Sequence, residues 1–340
     1  MMTADIKASY NQERICLGEA LPLNTPLSII LDVSERCNFL CNYCFRSGQK
    51  DGSWDFAQKN NLMTMDIFQK AVDDLNLFPQ KIKAISLSGH GEPLCNPQIA
   101  DMVRYLKNRT LIDRIEMHTN ASMLTTENVE DIANCGFTRI VVSLQGLDAE
   151  TYKKVCGVNI NWNSFYMQLK TLYKSKPDSL KLHIKISEAA LNKENNLEEQ
   201  KEFYSMFGPI ADTVSIEKVT PLWKNIQVDS EMGENKYGQE VGKIMYCPIL
   251  FYKLWVAPDG EIYPCTGLPT PISLGNVNNI TLSEAWNGEK RIEFLKNHLK
   301  MEGKNNSACA ECYVPINTVT DKRDKIDIYK NDILKRLEEK

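Results

Sequence analysis

The sequence lacks a long apolar run, a block of like charge, an internal repeat and any low-complexity tract. Each absence removes a class of function. The N-terminal stretch MMTADIKASYNQERIC has no apolar segment of the kind a signal peptide needs. The longest apolar run, CPILFYKLWVA (residues 247–257), is too short to span a bilayer. Forty Lys and Arg are interspersed with 44 Asp and Glu, which gives no electrostatic footprint for nucleic acid or an anionic membrane. The expectation is a cytoplasmic protein with neither a membrane nor a nucleic-acid partner. Its 340 residues suffice for a large core, in one large or two modest domains.

Cysteine is not scarce. Eleven are present, and a reducing cytosol makes disulfides a poor explanation, so metal or catalytic roles are the better reading. The segment SERCNFLCNYC (residues 34–44) crowds Cys37, Cys41 and Cys44 at gaps of three and two. Thiolates this close suit a soft metal centre, either tetrahedral zinc or an iron–sulfur cluster. Structural zinc wants four closed ligands, whereas three cysteines on a 4Fe–4S cluster leave one iron open.

Short strand-like runs alternate with amphipathic stretches: SIILDVS (28–34), IKAISLS (82–88), RIEMHTN (114–120), TRIVVSL (138–144), LKLHIKIS (180–187) and TVSIEKV (213–219). One intervening helix begins at Thr64 and carries Ile67, Phe68, Val72 and Leu75; another runs from Thr125 to Cys135, before Gly136. Six such units predict a parallel α/β sheet with right-handed crossovers, closed only in part: an open, partial (β/α)6 TIM-like barrel. Side chains alternate between strand faces. One face is apolar (Leu31, Val33, Ile85, Leu87, Ile115, Met117, Leu182, Ile184, Ile186, Val214, Ile216) and is expected to pack on helices. The other is polar: Asp32, Ser34, Ser86, Ser88, Glu116, His118, Asn120, Ser143, His183, Lys185, Ser187, Ser215 and Glu217. Left unpaired, such groups cost roughly 1–3 kcal/mol each, so the set implies a hydrated pocket for a polar ligand.

The C-x3-C-x2-C of Cys37, Cys41 and Cys44, in a loop after the first strand and with Tyr43 before the last cysteine, resembles the radical S-adenosylmethionine (SAM) superfamily. That resemblance implies a 4Fe–4S cluster on three cysteines, with SAM chelated to its open iron. It also implies reductive cleavage of SAM to a 5′-deoxyadenosyl radical, fed by an external electron donor of flavodoxin or ferredoxin type. SGHGEP (88–93) resembles the family's glycine-rich segment, with His90 as a departure between Gly89 and Gly91. Gly89, Gly91, Glu92 and Pro93 are carried over as cofactor-binding, with Tyr43 and, from HTNA and VVSLQG, Asn120 and Ser143.

The C-terminal third holds Cys247, Cys265, Cys309 and Cys312. YKLWVAPDGEIYPC reads as a hairpin around Pro-Asp-Gly, and residues 282–300 read as a helix ahead of CAECY. In isolation this could be a zinc ribbon. After a barrel of this kind it resembles a small SPASM or twitch extension, which implies one auxiliary 4Fe–4S cluster on these four cysteines. The C-x17-C, long gap, C-x2-C spacing is close to that of 2-deoxy-scyllo-inosamine dehydrogenases. Residues 1–24 read as an N-terminal extension, 25–220 as the barrel, 221–318 as the auxiliary domain and 319–340 as a C-terminal helix that packs on the surface or on a second subunit.

The expected reaction is hydrogen abstraction from a polar small molecule, oxidising a hydroxyl of a sugar, nucleotide-sugar or cyclitol to a ketone. Lys185 and Glu217 are the first candidates for the proton, with neutral His118 or His183 in reserve. Lys185 is a base only without a carboxylate partner; paired with Glu217 it stays charged and anchors a hydroxyl or phosphate. Two enzymatic alternatives stand beside this: a peptide- or protein-modifying maturase, and an epimerase in which Cys95 or Cys156 donates hydrogen. A third, non-enzymatic one is an electron-transfer or zinc-structured binding protein.

Overall fold

The structure is a computed structural model that describes residues 4–9, 14–49, 61–191, 196–220, 234–301, 306–310 and 312–340. In chain order its strands are β1 (Asp5–Ile6), β2 (Ser28–Leu31), β3 (Ala84–Ser86), β4 (Arg114–Thr119), β5 (Arg139–Leu144), β6 (Lys181–Ser187), β7 (Thr213–Glu217), β8 (Lys253–Val256), β9 (Glu261–Tyr263) and β10 (Gly275–Asn276). The helices used below are α1 (Leu17–Ala20), α2 (Met65–Asp73), α3 (Ile99–Arg109), α4 (Val129–Asn134), α5 (Ala149–Cys156), α6 (Trp162–Ser175), α7 (Asn196–Phe207), α8 (Leu282–Asn287) and α9 (Glu289–Met301).

All six expected strands form. β2 to β7 pair in sequence order, each parallel to the next, with helices in the crossovers. This is the partial TIM-like barrel. The apolar strand face lies in the main core, where Leu31, Val33, Ile85, Leu87, Met117, Leu182, Ile184 and Val214 are fully buried. α2 starts where Thr64 predicts: its side chain accepts the Ile67 N–H at 3.4 Å. α4 begins four residues later than expected. Asn128 Oδ1 accepts the Thr125 N–H at 2.8 Å, closing a separate turn that competes with the helix. Gly136, two residues past its end, takes φ +127°, as a helix stop demands.

Both edges of the barrel are occupied, which the sequence pattern did not predict. β1, from the presumed extension, adds parallel to β7. β8 adds parallel to β2, with Ser28 opposite Lys253 and Leu31 opposite Val256. The predicted hairpin, β8 to β9, turns at Gly260 (φ +85°), so one ten-stranded sheet runs from β1 to β10.

Two helix expectations need correction. Residues 282–300 form α8 and α9 rather than one helix, broken at an extended Gly288 (φ −71°, ψ 153°). Buried Arg291 donates to the Trp286 carbonyl at 2.9 Å and the Leu250 carbonyl at 2.7 Å, which satisfies an acceptor freed by the break. The tail from Asp321 makes two 3-10 turns, Lys322–Asp324 and Asp327–Tyr329, before the helix Lys330–Glu338. Its acids are drawn into tertiary bonds: Asp324 pairs with Arg14 at 2.9 Å and Asp327 accepts the Met245 N–H at 2.8 Å. Ile333 and Leu337 join Leu17, Leu21, Leu295 and Leu299 in a second core, so the tail packs on its own chain. Among the described residues no helix is long and apolar enough to cross a membrane.

Candidate active site at the barrel mouth

After β2 the chain enters the cysteine loop. Phe39 anchors it edge-on against Tyr152, 6.0 Å between centroids, and the Leu40 and Asn42 N–H groups bond the Cys156 and Val155 carbonyls at the end of α5. Cys37, Cys41 and Cys44 are each half-buried. Burial pushes the Cys37 thiol up to about 12. Cys41 rises through a hydrogen bond with Cys156 and then through burial, and Cys44 rises through burial. Thiols so placed stay protonated until a cation displaces the proton, which is the behaviour of a metal-binding set.

The glycine segment that follows β3 lies directly on this loop. A Cβ on Gly89 would fall 1.9 Å from Asp32 Cγ, and one on Gly91 would fall 2.3 Å from the Arg36 carbonyl oxygen, so only glycine fits either place. The Glu92 N–H donates to that same carbonyl at 2.7 Å. Glu92 is buried; its carboxylate accepts from Thr119 Oγ1 at 2.5 Å, the Leu94 N–H at 3.1 Å and the Asn120 N–H at 2.7 Å. Burial pushes it up to about 7, and no described cation lies at ion-pair distance. A buried carboxylate awaiting a positive charge fits the ammonium of an amino acid. Pro93 opens the next short turn, and Asn120 Nδ2 donates to Asn38 Oδ1 in the cysteine loop at 2.9 Å. Tyr43 is held among Cys41, Tyr152, Cys156 and Cys44, its phenol pushed up chiefly by burial. Ser143, half-buried, sits in register with Lys185. The predicted cofactor residues therefore gather at one end of the sheet.

His90, the departure from the motif, has a specific place. Its N–H donates to Asp32 Oδ2 at 2.9 Å and its Nδ1 lies 3.6 Å from the same oxygen. Its Nε2 is 3.1 Å from the Thr266 carbonyl, beside Cys265, and the ring meets Trp255 edge-on at 4.6 Å. Burial lowers His90 to about 4, so it is neutral and donates from Nε2. It ties the glycine segment to the second cysteine site.

That site draws Cys247, Cys265, Cys309 and Cys312 from three distant stretches. A Cβ on Gly267 would lie 3.5 Å from Cys265 Sγ and 3.8 Å from Cys312 Sγ, so a cradle is left open between the two sulfurs. The Cys247 N–H donates to His298 Nε2 at 2.9 Å, and Asn306 Oδ1 accepts the Cys309 N–H at 3.2 Å. Burial raises all four thiols, Cys265 and Cys309 to about 12. Among the described residues no three His, Cys, Asp or Glu side chains converge tightly enough for a single ion.

Across the mouth, Lys185 Nζ lies 2.6 Å from Glu217 Oε2. Lys236 Nζ is 3.2 Å from both Glu217 oxygens, and Ser9 Oγ donates to Oε1 at 3.1 Å. Burial opposes the Glu217 charge, but Lys185 and Lys236 overcome it and hold the carboxyl well below its usual range. Lys185 thus has the carboxylate partner that its reading as a base excluded. His183 is corrected too: its ring nitrogens meet Thr213 Oγ1 at 2.6 Å and Ser215 Oγ at 3.0 Å, and with 1% exposure it serves packing. His118, lowered by burial and then by Lys185, Lys236 and Arg139, is a neutral imidazole on the inner face. Cys156 is 1% exposed, donates to the Tyr152 carbonyl at 2.9 Å and backs onto Cys41. It cannot reach a substrate, so its reading as a hydrogen donor falls. Cys95 is half-buried in the turn Pro93–Cys95. Lys236 and Ser9 were missed; neither sits in a motif.

The model of the radical SAM superfamily matches residues 31–188, and that of the SPASM iron-sulfur cluster-binding domain matches residues 247–313. The chain carries a radical SAM domain followed by a SPASM domain. The tungsten-containing aldehyde ferredoxin oxidoreductase cofactor-modifying protein of Pyrococcus furiosus is 25% identical over 327 residues, 84% of this chain and 86% of its own length. The crystal structure of BtrN in complex with AdoMet and 2-DOIA superposes with a TM-score of 0.54 at 16% identity, covering 87% of this chain and 96% of that one. Streptococcus suis SuiB bound to S-adenosylmethionine gives 0.61 at 15% identity, over 88% of this chain and 73% of that one. The protein is a radical SAM enzyme, and its cofactors are SAM and two iron–sulfur clusters. His90 links the two domains, bonding Asp32 after β2 and the Thr266 carbonyl next to Cys265.

Proposed function

We propose that this radical SAM enzyme oxidises a hydroxyl of a polar small molecule, a sugar, nucleotide-sugar or cyclitol, to a ketone. In this reading Cys37, Cys41 and Cys44 hold the SAM-binding 4Fe–4S cluster, with Tyr43, Gly89, Gly91, Glu92, Pro93, Asn120 and Ser143 around SAM. Cys247, Cys265, Cys309 and Cys312 hold the auxiliary cluster. When bound, these groups supply a hydrogen-abstracting radical and an electron acceptor. The observation that carries the reading is the charged inner face, where Lys185, Glu217 and Lys236 stand beside neutral His118.

The chain's own residues then have defined tasks. Glu92 offers its uncompensated carboxylate to the SAM ammonium, and Gly89 and Gly91 let the backbone come close. Loss of a hydrogen atom from a carbinol carbon leaves a carbon that must shed one proton and one electron to become a ketone. Lys185, kept charged by Glu217, donates to the substrate oxygen and acidifies its proton. His118 accepts that proton. The test is anaerobic turnover on a panel of polyols and their phosphates: one SAM consumed per ketone formed, with ketone lost but 5′-deoxyadenosine retained in a Cys309→Ala/Cys312→Ala variant. Solvent deuterium at the reacting carbon without net oxidation refutes oxidation and favours epimerisation with Cys95. Turnover confined to peptides refutes the small-molecule class.

A further inference from the structure

We infer that the substrate carries a phosphate group, held between Lys236 and Lys185 at the barrel mouth; the inference rests on the oxidation reading for where the substrate lies. The charge on the inner face does not balance. Two clusters on it hold Arg114, Arg139, Lys185 and Lys236 against two carboxylates, Glu116 and Glu217. Each carboxylate is already shared by two cations. Glu116 meets Arg114 at 2.9 Å and Arg139 at 3.5 Å; Glu217 meets Lys185 at 2.6 Å and Lys236 at 3.2 Å. None of the six side chains is more than one-third exposed, and Lys185 and Lys236 are 16% and 26% exposed. Two positive charges withdrawn from water without counter-ions are costly.

The missing charge sets the ligand class. One positive charge is left over at Lys185 and Lys236, and the second stands next to it through Arg139, which donates to the carbonyl of the same Ser9 that bonds Glu217; a phosphate monoester, at about −1.5 to −2 at neutral pH, answers both, whereas one carboxylate answers only the first. A neutral polyol would answer neither, and an aminated one would add to them. The donors also match. Each ammonium has three N–H groups. Lys185 spends one on Glu217 and one on the substrate hydroxyl, and Lys236 spends at most two, so two remain for phosphate oxygens. Lysine binds phosphate as a compact point charge. Lys185 and Glu217 stand toward the C-terminal ends of β6 and β7, the end from which the cysteine loop and glycine segment project. The hydroxyls of Ser9 and Tyr237, 2.9 Å apart, flank the same carboxylate.

The test uses anaerobic holoenzyme and inorganic phosphate as the probe, by calorimetry at fixed ionic strength, with acetate as the carboxylate arm. Phosphate should bind, acetate at least about tenfold more weakly; Lys236→Met should weaken phosphate about tenfold or more, and Lys236→Arg by no more than about threefold. In the wild-type protein phosphate should also slow acylation of Lys236 by an amine reagent, read by mass spectrometry, so the inference stays testable if the variants do not fold. Acetate binding as tightly as phosphate overturns the phosphate class. Absent binding, undiminished binding in Lys236→Met, or unprotected Lys236 overturns the site. 5′-Deoxyadenosine formation, measured on the same wild-type preparation, separates the two readings. If it persists without phosphate binding, this inference alone falls; if it is absent, the radical reading falls.

Discussion

Glu217→Gln is the most informative single change. The wild-type carboxylate is 7% exposed and accepts three donors, from Lys185, Lys236 and Ser9. Glutamine keeps one acceptor oxygen and turns an NH2 group toward an ammonium. Removing one partner from a buried ion pair costs about 3–5 kcal/mol. Water reaches both lysines in part, so the loss should sit at the low end, about 3 kcal/mol, or about a hundredfold in the folding equilibrium. Its pH dependence has a definite sign. Burial already lowers Lys185 below 10.5. Without Glu217 it falls further, so the folded variant releases that proton before the unfolded chain does. Its stability deficit therefore shrinks as pH rises from 7 toward 9. Urea unfolding of anaerobic, cluster-free protein, followed by circular dichroism, reads both effects. Adding Lys185→Met should restore part of the loss, with a coupling energy of about 1–3 kcal/mol between the two sites. A Glu217→Gln variant within about 0.5 kcal/mol of wild type at every pH would refute the buried three-charge arrangement.

Three further outcomes are expected. Anaerobically reconstituted protein should carry about eight irons with matching sulfide, and Ala at Cys37, Cys41 and Cys44 together should remove about half while abolishing 5′-deoxyadenosine formation; zinc in place of labile sulfide would contradict this. Glu92→Gln should weaken SAM binding about tenfold or more without altering the cluster absorbance. In the cofactor-free state it should instead gain on wild type as pH rises from about 4.5 to about 7, where the unfolded glutamate ionises while the raised Glu92 of the folded protein keeps its proton, and hold that gain above 7; parallel pH profiles would refute the raised value. His183 is lowered to about 3, chiefly by burial, so its stabilising contribution is present above pH 6.5 and lost as pH falls through that range. A His183→Asn variant should therefore lose about 1–2 kcal/mol less than wild type between pH 7 and pH 5 by urea unfolding.

What the sequence revealed and what it hid divide along one physical line. Cys37, Cys41 and Cys44, the glycines at 89 and 91, and the alternation within each strand are local patterns, and all appear where expected. The features that went unread depend on partners far along the chain. Lys236 matters because Glu217 reaches it, and Ser9 bonds a carboxylate 208 residues away. His183 looked catalytic because its strand neighbours, Thr213 and Ser215, are not adjacent in sequence. The break at Gly288 needs the Leu250 carbonyl to hold Arg291 in place. Position between two glycines was the one local signal that His90 had a task beyond the motif.

The parallel ladder between β2 and β8 has a consequence for how the molecule is made. A module hung on a linker can be traded between proteins, but one that supplies its neighbour's outermost strand cannot. During synthesis, Ser28–Leu31 emerges early, and its free side must wait for Lys253–Val256 to leave the ribosome. Through that interval the nascent barrel shows an unpaired apolar edge, the kind of surface that recruits other chains. The demand for chaperones should therefore peak before the hairpin is translated and fall once it is added.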